Sequence, residues 1–235
     1  MSLSREQVHL FRHNGFIKLP DVLPDERVAQ LKEAIWRDIR AEVEPAVRDG
    51  QGRVVRISNV WGRGPVFRDL LTCPQVLDTL ESLLGPNIEL VLNRHNHATL
   101  RLAGDTGEYY HRDVLQWSRT ILTVVFYLEQ TTLENGCTLV VPGTHLLPGL
   151  DTFNIAEDER LARSGIFDQA VPVPMPAGGM LAIDSLLMHS PGRNMTESTR
   201  MSVTAGYHSA DELAGFDNAK RALVRGERIY KGNDT

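Results

Sequence analysis

Only two cysteines, Cys73 and Cys137, occur in this 235-residue chain, 64 positions apart and outside any C-x-x-C spacing. That excludes a disulfide-framed scaffold and a zinc knuckle, and it suits a reducing compartment. No apolar stretch approaches the length needed to cross a bilayer. The opening MSLSREQVHLFRHNGF holds no apolar run of signal-peptide length, so the cytoplasm is the expected location. Positive charge is also in short supply, with 25 Lys+Arg against 30 Asp+Glu and a formal charge of −5. A nucleic-acid partner needs clustered cations to neutralise phosphates, so the expected partner is a small molecule, with no nucleic acid and no membrane. There is no internal repeat and no low-complexity tract.

What is present fits one domain over 1–235, long enough to bury a core without disulfides or structural metal. Ser4 stands three residues before Gln7 and Gly15 follows, which predicts a short capped helix, and FIKLP reads as a strand. From Pro24 to Glu44, Val28, Leu31, Ile35, Ile39 and Val43 recur at helical spacing on one side. Further helices fit VFRDLLT and PQVLDTLESLLG, the second opened by Pro74 and stopped by Gly85. After residue 86 the segments become short, β-branched and bounded by Gly, Pro or Asn: NIELVLNRHNHATLRL, TILTVVFYLEQ, CTLVVPG, QAVPVPM, GMLAIDS and RMSVTAGYHS. The expected architecture is α+β and mainly β. Helices of about 1–86 pack on a sandwich or barrel of about 87–210, with a helical insertion at 156–165. The tail after Asp211 is polar and gives no clear pattern.

The chemistry is expected around EYYHRDVLQW, residues 108–117. On a strand, His111 and Asp113 would share a face while Arg112 points away. Alone, H-x-D is a weak signal and reads first as a hydrogen-bonded surface pair. The later segment LAIDSLLMHSPGRN ends an apolar run on His189, where a lone exposed histidine has no packing reason to be. Eleven residues on, Arg200 heads RMSVTAGY and shares a face with Ser202 and Thr204. Two histidines and one carboxylate around one ion are the ligand set of non-haem Fe(II) oxygenases, with positions left open. A guanidinium is the group that grips a carboxylate bidentately.

HRD at 111–113, ENGCTLVVPGTH at 134–145, MHSPGRN at 188–194 and Arg200 together resemble the phytanoyl-CoA dioxygenase family of Fe(II)/2-oxoglutarate oxygenases. The opening GFIKLPDVLPDERVAQLKEAI is similar to that family's N-terminal pattern, and the resemblance spans about residues 5–210. It implies a double-stranded β-helix, a cupin-like jelly roll braced by the N-terminal helices, with iron in the barrel mouth. Carried over, His111, Asp113 and His189 match the iron ligands, and Arg200 matches the 2-oxoglutarate arginine. Thr123 falls where related enzymes put a small hydroxyl or thiol residue beside the cosubstrate. Asn93, 18 positions before His111, falls at another cosubstrate-lining position. The aromatic that some members carry two places after Thr123 is Val125 here.

The resemblance implies Fe(II), 2-oxoglutarate and O2 as the reaction's requirements. Oxidation of a small molecule, most simply hydroxylation and as in secondary metabolism, would be coupled to loss of CO2 and formation of succinate. Asp113 argues against halogenation, since halogenating relatives replace the carboxylate by a small residue to admit chloride. Desaturation, epimerisation and cyclisation remain open, as do a non-oxygenase cupin-like metal enzyme and a non-catalytic β-helix module. His95 and His97 share a strand face without a third ligand nearby and read as substrate-pocket or surface histidines. His145 reads as structural, and Gly136 and Gly143 as backbone conformations that a Cβ would strain. Tyr109, Tyr110, Trp117, Trp61 and Arg56 are candidates for the substrate mouth.

Overall fold

The computed structural model describes residues 2–104, 107, 109–114, 121–147, 158–211 and 219–228. The first helix, α1 (Arg5–Asn14), is closed by the Ser4/Gln7 capping box and ends on Gly15 at φ 83°, satisfying orphan amides at one end and a carbonyl at the other. A short strand β1 (Phe16–Leu19) leads into α2 (Asp25–Arg40). Helix α2 buries Val28, Leu31, Ala34 and Ile35 along one face, each large aliphatic contributing about 1.5–3 kcal/mol. The helix stops a turn before the expected Glu44. Glu42 turns left-handed at φ 51°, and Pro45 disfavours a helical residue before it. The Arg63 guanidinium then holds the exit, donating to the carbonyls of Val43 and Pro45 and pairing with buried Asp38 on the helix at 3.1 Å.

Strands β2 (Ala46–Arg48) and β3 (Val54–Ser58) follow as an antiparallel pair, inside the part of the chain expected to be helical. They carry no long apolar alternation of their own, and β3 is fixed by pairing with a strand far along the chain. Helix α4 (Pro74–Leu84) begins on its proline as expected, and α3 (Pro65–Leu71) begins on Pro65, one residue before the expected VFRDLLT. The apolar stretch after residue 86 is broken into β4 (Ile88–Val91) and β5 (Asn96–Arg101) by a turn carrying His95 at φ 50°. Then come β6 (Ile121–Tyr127), β7 (Thr138–Val140), the short α5 (Glu159–Arg163), β8 (Val171–Val173), β9 (Met180–Asp184), β10 (His189–Pro191) and β11 (Arg200–Ser209). The expected insertion helix at 156–165 is thus seen as α5, its first two residues lying outside the described ones. The polar tail supplies β12 (Arg221–Arg225), an edge strand that pairs with β4.

Among the described residues the strands form two sheets. The larger runs β1-β9-β6-β11-β5-β3-β2, with β4 beside the end of β11 and β12 beyond it; the smaller is β10-β7-β8. Alternation decides what each face does. On β6, Leu122, Val124 and Phe126 enter the core beneath the helices, together with Ala98, Leu100, Met201, Val203 and Ala205 from the neighbouring strands. The opposite residues Thr123, Val125 and Tyr127 face a cavity. Tyr127, Leu181 and Ile183 of the large sheet pack with Val140 and Val173 of the small one. Two sheets face to face, helices bracing only the larger, make a double-stranded β-helix.

Candidate active site: a His–Asp–His centre in the cavity

His111 and Asp113 do not sit in a regular strand. The segment lies antiparallel on residues 185–189 instead: His111 N donates to His189 O at 3.0 Å, His189 N returns to His111 O at 3.1 Å, and Asp113 N donates to Ser185 O at 2.9 Å. This bridge carries two segments far apart in sequence to one point. His189, expected to be exposed, is only 8% accessible. Arg112 does point away, and it is buried: its Nη2 donates to the carbonyls of Thr144 at 2.5 Å and Leu147 at 3.1 Å. Through Nη2 this buried guanidinium fixes the H-x-D segment to the turn after β7.

The imidazoles are aimed by their backbones. His111 Nδ1 lies 3.1 Å from Tyr109 O, and His189 Nδ1 lies 2.9 Å from Leu187 O. A proton on each Nδ1 leaves each Nε2 as a lone-pair donor, the usual way a ligand histidine is oriented. Both Nε2 atoms lie 3.7 Å from Asp113 Oδ1. That spacing fits bonds of about 2.1 Å to one ion. The three donor atoms lie within 4.8 Å of one another. The second carboxylate oxygen is taken: Thr123 Oγ1 donates to Asp113 Oδ2 at 2.6 Å and stands 2.8 Å from Ser185 Oγ.

Electrostatics favour the metal-ready protonation states. Burial lowers the His111 pKa to about 4, so its imidazole is neutral at pH 7. For Asp113 burial acts upward, but the imidazoles of His189, His95 and His111 and the Thr123 hydroxyl outweigh it and hold the carboxyl below its usual value.

The cavity around this centre has a volume of about 1070 Å³, at the upper end of the roughly 300–1,000 Å³ typical of small-molecule sites. The structure brings Arg200, Thr123 and Asn93 to its wall with the three candidate ligands. Arg200 opens β11 with its side chain buried, and Ser202 and Thr204 follow it on the cavity face, as alternation requires. Thr123 is in contact with the ligand carboxylate, a contact not read from the sequence. Asn93 lies on the exposed turn between β4 and β5.

His95 is closer to the centre than expected. Its Nε2 lies 3.4 Å from Asp113 Oδ1, whereas His97 is one ring away, with centroids 6.2 Å apart. The left-handed turn at His95 supplies this approach, and nothing in RHNH announces it. Tyr109 stacks on His111 at 5.2 Å and receives a hydrogen bond from Arg101 at 2.9 Å. Tyr110 stacks on Phe167 at 4.5 Å, away from the cavity wall. Trp61 packs against the helical core, and Trp117 lies outside the described residues. His145 Nε2 contacts Arg12 O at 3.1 Å and so ties the turn after β7 to α1. Ser185 and Tyr127 were missed in the sequence. Only the register of β6 against β9 and β11 reveals that they reach the site.

Comparison with known proteins gives one consistent answer. A family model described as phytanoyl-CoA dioxygenase (PhyH) matches residues 11–202. Dioxygenase af480 of Aspergillus fumigatus is 27% identical over 239 residues, covering 96% of this chain and 73% of the relative. Peroxisomal phytanoyl-CoA dioxygenase of Rattus norvegicus is 25% identical over 240 residues, covering 89% and 69%. Among solved structures, the α-ketoglutarate-dependent epimerase SnoN from nogalamycin biosynthesis superposes with a TM-score of 0.75 at 25% identity, covering 97% of this chain and 98% of that one. A second SnoN structure, in complex with Fe3+, α-ketoglutarate and nogalamycin RO, gives 0.74 at 26%, covering 94% and 98%.

Proposed function

Since the chain belongs to the phytanoyl-CoA dioxygenase family, we propose that it is an Fe(II)- and 2-oxoglutarate-dependent oxygenase that hydroxylates a small molecule. The observation that carries this reading is the meeting of His111, Asp113 and His189 on one side of a cavity that also holds Arg200. The donor set fits iron: two imidazole nitrogens and one carboxylate oxygen facing the cavity. Bound there with 2-oxoglutarate, iron supplies the activation of O2 that oxidises a C–H bond as the cosubstrate loses CO2 and becomes succinate.

The remaining roles belong to this chain's own residues. Thr123 holds Oδ2 of Asp113, so that Oδ1 is the oxygen presented to the ion. Arg200 offers a planar fork to the far carboxylate of the cosubstrate and so fixes which end reaches the centre. The cavity wall then positions the target C–H bond, the protein's main contribution to chemistry of this kind. A zinc or manganese enzyme of another class would have the three ligands but no use for Arg200 at that place.

The direct test is anaerobic addition of Fe(II) and 2-oxoglutarate, which is expected to give a weak visible charge-transfer band that Asp113→Ala abolishes. A folded, iron-loaded protein without the band refutes the reading. A substrate screen that follows succinate then identifies the reaction. Epimerisation is the second reading. The likeness to SnoN over nearly its whole length supports it, and a stereochemically inverted product with no added oxygen would establish it.

A further inference from the structure

The cavity is walled by arginine in a chain whose overall charge is negative. Among the described residues its lining includes Arg53, Arg56, Arg94, Arg101, Arg112 and Arg200, against two carboxylates, Asp49 and Asp113. Several of the six arginines are engaged already, Arg101 among them, which donates to the Tyr109 hydroxyl at 2.9 Å. Arg53 pairs with Asp49 at 2.7 Å, Arg112 serves backbone carbonyls, and Arg200 faces the cosubstrate position. With Fe(II), Asp113, a 2-oxoglutarate dianion and Arg200 in place, the centre is formally neutral. The loaded centre therefore has no charge of its own with which to select a substrate, and the wall beyond it does the selecting.

Strand register locates that wall. Arg200 of β11 stands directly opposite Arg101 of β5. On the next strand outward, Arg56 of β3 is level with Thr99 of β5, which is level with Ser202 of β11 and Tyr127 of β6. Arg56 is on the cavity face, because its neighbour Ile57 is buried in the helical core. Among the described residues no carboxylate lies within ion-pair distance of Arg56.

The geometry points to a substrate that carries an oxyanion, a carboxylate or phosphate, bound by Arg56 at the outer end of the cavity with Arg101 forming the wall behind it. This rests on the oxygenase reading above and names the substrate class for that site. Arg56 is two strand spacings from β11 and three from β6, which carries Thr123, at about 4.8 Å each. Arg56 is level with Tyr127 of β6, four residues along the strand from Thr123, so the acidic group binds at the far end of the cavity from Thr123. Guanidinium suits the task because its fork pairs with either oxyanion in two parallel hydrogen bonds. A cleft lined by one sign of charge also concentrates the opposite ion.

The test uses the full chain, anaerobic, with Fe(II) and saturating 2-oxoglutarate so that Arg200 is already engaged. Phenyl phosphate, phenylacetate and the neutral phenylacetamide are titrated by calorimetry. The two anions are expected to bind, the amide not, and whichever anion binds more tightly identifies the natural group. Arg56→Gln should weaken the anions about tenfold or more, the loss expected for a hydrogen bond to a charged group. Arg56→Glu should abolish their binding. Arg40→Gln, an equal charge change on the exposed end of α2, should leave it unaltered. Any of three results overturns the inference: no anion binding to the loaded wild type, equal binding of the amide, or equal losses in the Arg56 and Arg40 variants. Absence of the charge-transfer band in the wild type would instead sink the oxygenase reading, because the band does not depend on Arg56.

Discussion

Replacing Thr123 by valine removes one hydroxyl and keeps the shape of the side chain. The hydroxyl donates to Asp113 Oδ2 at 2.6 Å, in a place where Thr123 is 2% accessible and Ser185 fully buried. A hydrogen bond to a charged group contributes about 1.5–3 kcal/mol, and loss of an outer partner of a metal ligand costs roughly 10–100-fold in metal affinity. The two scales agree, so Thr123→Val should weaken Fe(II) binding by about 10–100-fold. Ser185 Oγ also loses its partner, and a Thr123→Val/Ser185→Ala double variant should add less than the sum of the two single changes. Thr123→Ser, which keeps the donor, should restore most of the affinity. The assay is anaerobic competition for Fe(II) against a chelator, with 2-oxoglutarate affinity measured on the same samples. If Thr123 acted by touching the cosubstrate, 2-oxoglutarate affinity would fall and metal affinity would hold. Metal affinity within roughly threefold of wild type would refute the hydrogen-bond argument.

Arg200→Met should raise the KM for 2-oxoglutarate by about 10–150-fold, the equivalent of one or two charge-assisted hydrogen bonds, while Fe(II) affinity stays near wild type. For the metal-free protein, burial lowers His97 to about 3 and His111 to about 4. Both groups bind protons more readily when unfolded, so their stabilising effect is complete above about pH 6.5 and is lost as pH falls towards the folded values. Thermal melts from pH 7.5 to 4.5 should show that decline, and His97→Gln should flatten it; an unchanged slope counts against the assignment. Gly136 has φ 81°, and a Cβ there would overlap the Gly192 carbonyl oxygen. Gly136→Ala should therefore cost about 1–3 kcal/mol in chemical denaturation, with Gly192 pushed away from its hydrogen bond to Cys137 O.

Much of the helical layer was legible because its causes are local. The Ser4/Gln7 box, Pro74 and Gly85 act within one turn of chain, and the apolar stripe of α2 repeats at the helix's own period. The same locality explains the errors. The end of α2 depends on Arg63, some twenty residues away, and β2, β3 and β12 exist as strands because partners elsewhere accept their hydrogen bonds. In the site, His111, Asp113, His189 and Arg200 were readable from residue type, order and family resemblance. Thr123 was singled out, but its contact with Asp113 was not. The approach of His95 depends on one left-handed residue, which leaves little trace in sequence.

The sequence by itself determined the residue types needed for iron and 2-oxoglutarate, and the alternation that sends every second strand residue away from the helices. Only the tertiary structure decided that Asp113 Oδ2 is held by Thr123 and that Arg56, Arg101 and Arg200 share one wall. The physical reason is that side-chain direction follows from the local backbone, whereas proximity across a sheet is set by register between strands far apart in the chain, as Arg101 and Arg200 are. Arginines scattered through an acidic chain give no basic run to read. They become a cationic surface only when pairing lines them up.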